Sequence, residues 1–92
     1  MKSIAEKQEL FFKELQPIQE LAVLIALSDK KKGCSLEEAL YCATCEAICG
    51  VLTLIDGYST DEIKLDLIDK ETGLSLRENI ELHDKCVDYL RC

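Results

Sequence analysis

The sequence predicts an α+β domain that is mainly α. It reads as three to four helices, a central one over about 36–55, and a small β-hairpin near 62–77. Three observations lead there. Apolar residues recur at helical spacing in both halves of the chain. Ser-x-x-Glu boxes stand before two of those stretches. The period then switches to strict alternation at Glu62–Leu67, the pattern of a half-buried strand. A length of 92 residues bounds all of this to one domain, 1–92. Hydrophobic residues make up 48% of it, enough apolar surface to argue against disorder.

The first helix is expected from Ser3 to Leu15, with Ile4, Leu10, Phe11 and Leu15 as its apolar stripe. Ser3 and Glu6 form its capping box: the hydroxyl takes one free backbone N–H and the carboxylate another. Pro17 removes a donor and crowds the preceding turn, so a kink or break is expected there. A second segment, Ile18–Ser28, is apolar on more than one face, and Lys30–Gly33 is the loop that follows.

The central helix has the clearest start, Ser35-Leu36-Glu37-Glu38, and a clear exit at Asp56-Gly57. Leu36, Leu40, Ala43, Ala47, Val51 and Leu54 share one stripe at 100° per residue. Small residues let another backbone approach, which makes Ala43, Ala47, Gly50, Val51 and Leu54 the interface candidates. A helix apolar nearly all round is either a central element or part of an oligomer interface. Glu62–Leu67 reads as one strand of the hairpin, Asp69–Gly73 as its turn and Leu74–Arg77 as the return. A helical reading of Asp61–Asp69 fits Ile63, Leu67 and Ile68 but not Leu65. The last helix is expected over Asn79–Arg91.

Composition limits function. Eighteen acidic residues against eleven basic ones give a net charge of −7. Only Lys30-Lys31-Lys32 clusters positive charge, and nucleic-acid binding needs more than one short triplet. The segment Met1–Phe12 is charged and does not read as a signal peptide. The runs Leu21–Leu27 and Gly50–Ile55 fall short of a bilayer span. A cytoplasmic location without membrane contact is the expectation, and six cysteines inside helical patterns then read as reduced thiols.

Several residue sets invite chemistry. Cys42, Cys45 and Cys49 have metal-ligand spacing, and His83 with Cys86 is able to complete such a site. Cys42 and Cys49 lie ~10.5 Å apart along an intact helix. Two thiolate reaches to a shared ion sum to only ~8 Å, so one ion takes two of the three, not all. A redox Cys-x-x-Cys wants a helix N-terminus, whereas Cys42 lies two turns inside with Glu46 nearby. His83 and Asp84 are sequence neighbours that do not face each other on a helix. Glu46 is an acid among small and apolar residues, and if buried it needs a partner. The acids Asp56, Asp61, Glu62, Asp66, Asp69 and Glu71 lack the order of a calcium loop and read as a solvated face. Leu54–Tyr58, Asp66–Ser75 and Ile80–Asp84 together have the texture of a motif, with no activity attached.

The expectation is therefore a small acidic non-enzymatic interaction or regulatory module, such as a toxin-neutralising or operon accessory protein. It has no cofactor and no catalytic residue assigned. Its expected partners are a second copy, as a C2 homodimer, and a basic protein. The alternatives are a cysteine-based metal or redox protein using Cys42, Cys45 and Cys49, and a small enzyme using Glu46 or His83.

Overall fold

The computed structural model describes residues 2–92. Two long helices fold as an antiparallel hairpin: α1, Ile4–Lys31, and α2, Leu36–Ile55. At the start of α1, the Glu6 amide donates to Ser3 Oγ at 3.1 Å and the Ser3 amide to Glu6 Oε1 at 3.2 Å. At the start of α2, Ser35 Oγ accepts from the Glu38 amide at 3.1 Å and donates to Glu38 Oε1 at 3.0 Å. The exit of α2 is Gly57 at φ 92°, a left-handed conformation that costs glycine nothing.

Two helical expectations change. α1 runs unbroken through Pro17, so the break at that position is not there, and α1 rather than α2 is the longest helix. Pro17 and Lys13 are both exposed, so water can reach the carbonyl of Lys13 that lost its donor. Packing along α2 then holds the helix straight enough to continue. The expected helix over 79–91 shrinks to α3, Leu82–Lys85, followed by a 3-10 turn at Cys86–Asp88. Asn79 sits at φ 61°, outside helical geometry, and Glu81 caps α3 with no side-chain hydrogen bond.

The β-hairpin is also corrected. Among the described residues there is no strand or sheet, and the fold is helical rather than α+β. Between 62 and 77 the only β feature is an isolated antiparallel bridge, Ile68 to Ser75. The alternation was real, but only Ile63 of the apolar positions is buried; Leu67, Ile68, Leu74 and Leu76 face solvent. A two-stranded ribbon with no layer beneath it is marginal in water. The Asp69 amide donates to the Leu74 carbonyl at 2.9 Å and the Leu76 amide to the Leu67 carbonyl at 2.8 Å, and side chains hold the rest. Ser75 Oγ donates to Asp66 Oδ1 at 2.7 Å, and Arg77 donates to the carbonyl oxygens of Leu65 and Asp56, each at 3.1 Å.

The core is small. Its buried apolar members are Ala22, Ala39, Cys45, Leu54 and Ile63. The molecule extends 47 × 28 × 19 Å with a radius of gyration of 15.3 Å. A compact domain of this length has a radius near ~12 Å. Its accessible surface is 6884 Å², whereas a folded chain of this mass exposes about 5,400 Å². By length and composition α2 is also apolar enough to cross a membrane, and 17% of its most apolar window is buried.

Candidate functional site

Three places on the molecule gather chemistry. The first is an apolar groove along the helix hairpin, about 760 Å³ in volume. Its floor is small: Ala22 and Ala26 from α1, Ala43 and Ala47 from α2. Its rim is large and open, with Phe12 65%, Leu27 56% and Leu40 53% exposed. Its polar lining is Gln16, Gln19 and Thr44, and no charged residue lines it. Of the five interface candidates, Ala43, Ala47 and Val51 line this groove. Gly50 instead faces Ile18, where a Cβ would come within 2.7 Å of Ile18 Cγ2, and Leu54 is buried inside the chain.

The second place is a polar cluster built on Asp56, which the sequence assigned to a solvated acidic face. The structure buries it: its side chain is 1% exposed. Asp56 caps the C-terminal end of α2, where the helix dipole disfavours an acid, so it needs cationic partners. Arg77 Nε lies 3.2 Å from Asp56 Oδ1, an ion contact not aligned as a hydrogen bond. The His83 backbone amide donates to Asp56 Oδ2 at 2.9 Å, and His83 Nδ1 lies 2.6 Å from the same oxygen. A carboxylate only accepts, so Nδ1 carries the proton. The hydrogen bond to Asp56 holds the imidazole above its ordinary pKa, against the opposing effect of burial. Burial pushes the Asp56 carboxyl up, and the His83 hydrogen bonds outweigh it, leaving the group lowered. Tyr58 stacks edge-on against His83 at 5.3 Å and donates its hydroxyl to Glu81.

This cluster joins Leu54–Tyr58 to Ile80–Asp84 through Asp56 and His83, and Arg77 Nη1 reaches the third stretch at Asp66 Oδ1, 3.9 Å away. Its Asp–His pair resembles half of a nucleophilic site, but His83 Nε2 faces Glu81 at 3.6 Å and Asp84 at 3.5 Å, and among the described residues no hydroxyl or thiol hydrogen-bonds to it. Glu81, His83 and Asp84 offer ligand atoms within 4.8 Å of one another. His83 Nε2 already lies against both carboxylates there. The adjoining cavity, between Asp56, Thr60, Lys64 and Arg77, is about 200 Å³. Glu46, the other catalytic candidate, is half-buried on α2, and no hydrogen bond or ion pair reaches it among the described residues.

The third place is a cysteine cluster. Cys42 is not in it; that thiol faces Asp29, and burial and the Asp29 hydrogen bond raise its pKa. Cys45 and Cys49, one turn apart on α2, have sulfurs 3.9 Å apart. Cys49 Sγ lies 3.2 Å from Cys86 Sγ, and Cys45 is joined to Cys92 as a disulfide with Cα atoms 5.4 Å apart. The structure therefore does not hold six free thiols: Cys34, Cys42, Cys49 and Cys86 are free. His83 does not join the sulfurs; only its carbonyl accepts from Cys86 Sγ, at 3.3 Å. Sequence reasoning missed Asp56, Arg77 and Cys92. An acid at a helix C-terminus signalled the first pair, and the Cys86-x5-Cys92 spacing signalled the last.

Compared with family models, curated proteins and solved structures, the chain matches none.

Proposed function

We propose that this chain is a non-enzymatic protein-interaction module that works as a C2 homodimer, with the α1/α2 groove of one copy seated on that of the next. The observation that carries the reading is the uncharged apolar groove between two helices with almost no core of their own. Two packed helices cover only the faces they turn to each other and leave the groove along the pair open; a pair of helix hairpins closes it as a four-helix bundle.

A second copy suits the groove better than an unrelated partner for two reasons. The surface exceeds that of a compact chain by about 1,500 Å², and a standard interface takes ~800 Å² from each side. The groove also presents both halves of a self-complementary contact: alanines as holes and Phe12, Leu27 and Leu40 as knobs. Two copies of net charge −7 meet there without facing like charges, because the acids lie elsewhere. The acid-rich stretch after residue 56 stays outside the seam and is read as the face for a basic partner. A cytoplasmic placement is part of this reading. Glu46 at mid-length of α2 argues against burying that helix in lipid.

Light scattering across a concentration series tests the proposal. The expected mass is twice the 10.4 kDa of one chain. Leu27→Glu at the groove rim is expected to give the mass of a single chain. A monomer mass for the parent chain at every concentration sinks the reading.

A further inference from the structure

We propose that Cys45, Cys49, Cys86 and Cys92, once all four are thiols, form a tetrathiolate zinc site that ties the C-terminal segment to α2. The argument starts from spacing. Zinc holds thiolates at ~2.3 Å in a tetrahedron, which sets neighbouring sulfurs ~3.8 Å apart. Cys45 and Cys49 meet that spacing at 3.9 Å, and Cys49 and Cys86 stand at 3.2 Å. Cys92 reaches the cluster through Cys45. One disulfide accounts for two of these residues only. Cys49, which touches both Cys45 and Cys86, links all four sulfurs into one group, and a single ion uses that link.

The ligands come as two pairs from two segments: one pair a helical turn apart on a long, well-capped helix, the other from the chain end. Such a site adds a tie to α2 for residues 82–88, none of which is buried. Charge also fits. Four thiolates around zinc carry a net −2, and the two C-terminal ligands directly follow Lys85 and Arg91.

The chemistry balances in two steps. A dithiol reductant delivers two electrons and two protons to the Cys45–Cys92 bond, giving two thiols and closing to its own disulfide. Four thiols then bind one zinc and release four protons.

The test uses the full chain, isolated from cells with thiol reductant throughout. One zinc per chain is expected by elemental analysis, and cobalt added to the apo-protein should show thiolate charge-transfer and tetrahedral bands. Cys92 lies outside both long helices, so Cys92→Ser leaves the helix hairpin intact; it should weaken cobalt binding about 100-fold or more, and Cys92→His should restore most of it. Cys34→Ser with Cys42→Ser should change nothing. Metal-free protein without thiolate–cobalt bands overturns the proposal. So does parental affinity in Cys92→Ser, or a Cys45–Cys92 disulfide in protein whose thiols are alkylated at lysis.

Discussion

At the scale of single residues, Asp56 decides how the second half of the chain is held. Its buried carboxylate is the meeting point of Arg77, the His83 ring and the His83 amide. Removing one partner of a buried pair leaves the others unsatisfied, at about 3–5 kcal/mol. Asp56→Ala is therefore expected to lower unfolding free energy by about 3 kcal/mol or more in urea titration, and Asp56→Asn by less, since its amide oxygen still accepts. The same cluster gives a pH dependence. His83 is raised when folded, so its contribution is full below its unfolded value of ~6.5 and fades as pH climbs through the higher folded value. Asp56 is lowered when folded, so its contribution is full above ~3.9 and fades as pH falls through the lower folded value. The groups facing His83 are Asp56, Glu81, Asp84 and the Tyr58 ring, and all three acids favour its charged form. The cluster should be most stabilising between about pH 4 and 6.5. His83→Gln should flatten the alkaline side of a stability–pH curve and leave the acid side in place; an unchanged alkaline side defeats the assignment.

At the scale of elements, the contact between α1 and α2 turns on Gly50. A Cβ there would lie 2.7 Å from Ile18 Cγ2, on a β-branched side chain with little freedom to turn aside. Gly→Ala inside a helix gains about 1 kcal/mol of propensity, whereas overpacking costs about 1–3 kcal/mol. Gly50→Ala is thus expected to destabilise on balance. Combining it with Ile18→Ala should be better tolerated than the two single effects added together, as a double-mutant cycle would show. Pro17 has the opposite sign: exposed and mid-helix, it should give up to about 3 kcal/mol when replaced by alanine. What was legible in the sequence follows from the same physics. Ser3, Ser35 and Gly57 act within a few residues of themselves, so the start and end of α2 could be read directly. The alternation of Glu62–Leu67 is equally local, but it becomes a strand only if a layer lies under it, and none does. Asp56, Arg77 and Cys92 are held by contacts spanning 21 to 47 residues, which no local pattern encodes. Pro17 was read by its intrinsic cost alone, and tertiary packing overrode it.

At the scale of the whole molecule, the fold looks unfinished as one chain. A 92-residue protein with 48% hydrophobic content normally encloses many large side chains, yet among the described residues Leu54 and Ile63 are the only large apolar ones buried. Phe12, Leu24 and Leu27 are all more than half exposed, and each sits on the same hairpin. Hydrophobic burial is the main term that offsets chain entropy, so a monomer left this open has little margin. If a second copy supplies the missing burial, folding and association become one equilibrium, and stability then depends on chain concentration. Each tenfold rise in concentration adds about 1.4 kcal/mol to the apparent stability of the pair. For a dimer unfolding as one unit, that moves the thermal midpoint by about 3–6 °C. Scanning calorimetry on a dilution series should show that rise, in the reduced protein with zinc held constant so that metal binding does not vary with dilution. Leu27→Glu should lower the midpoint and abolish its concentration dependence together. A midpoint that stays fixed on dilution in the parent chain means that α1 and α2 are stable alone, and that the groove is open for something other than a second copy.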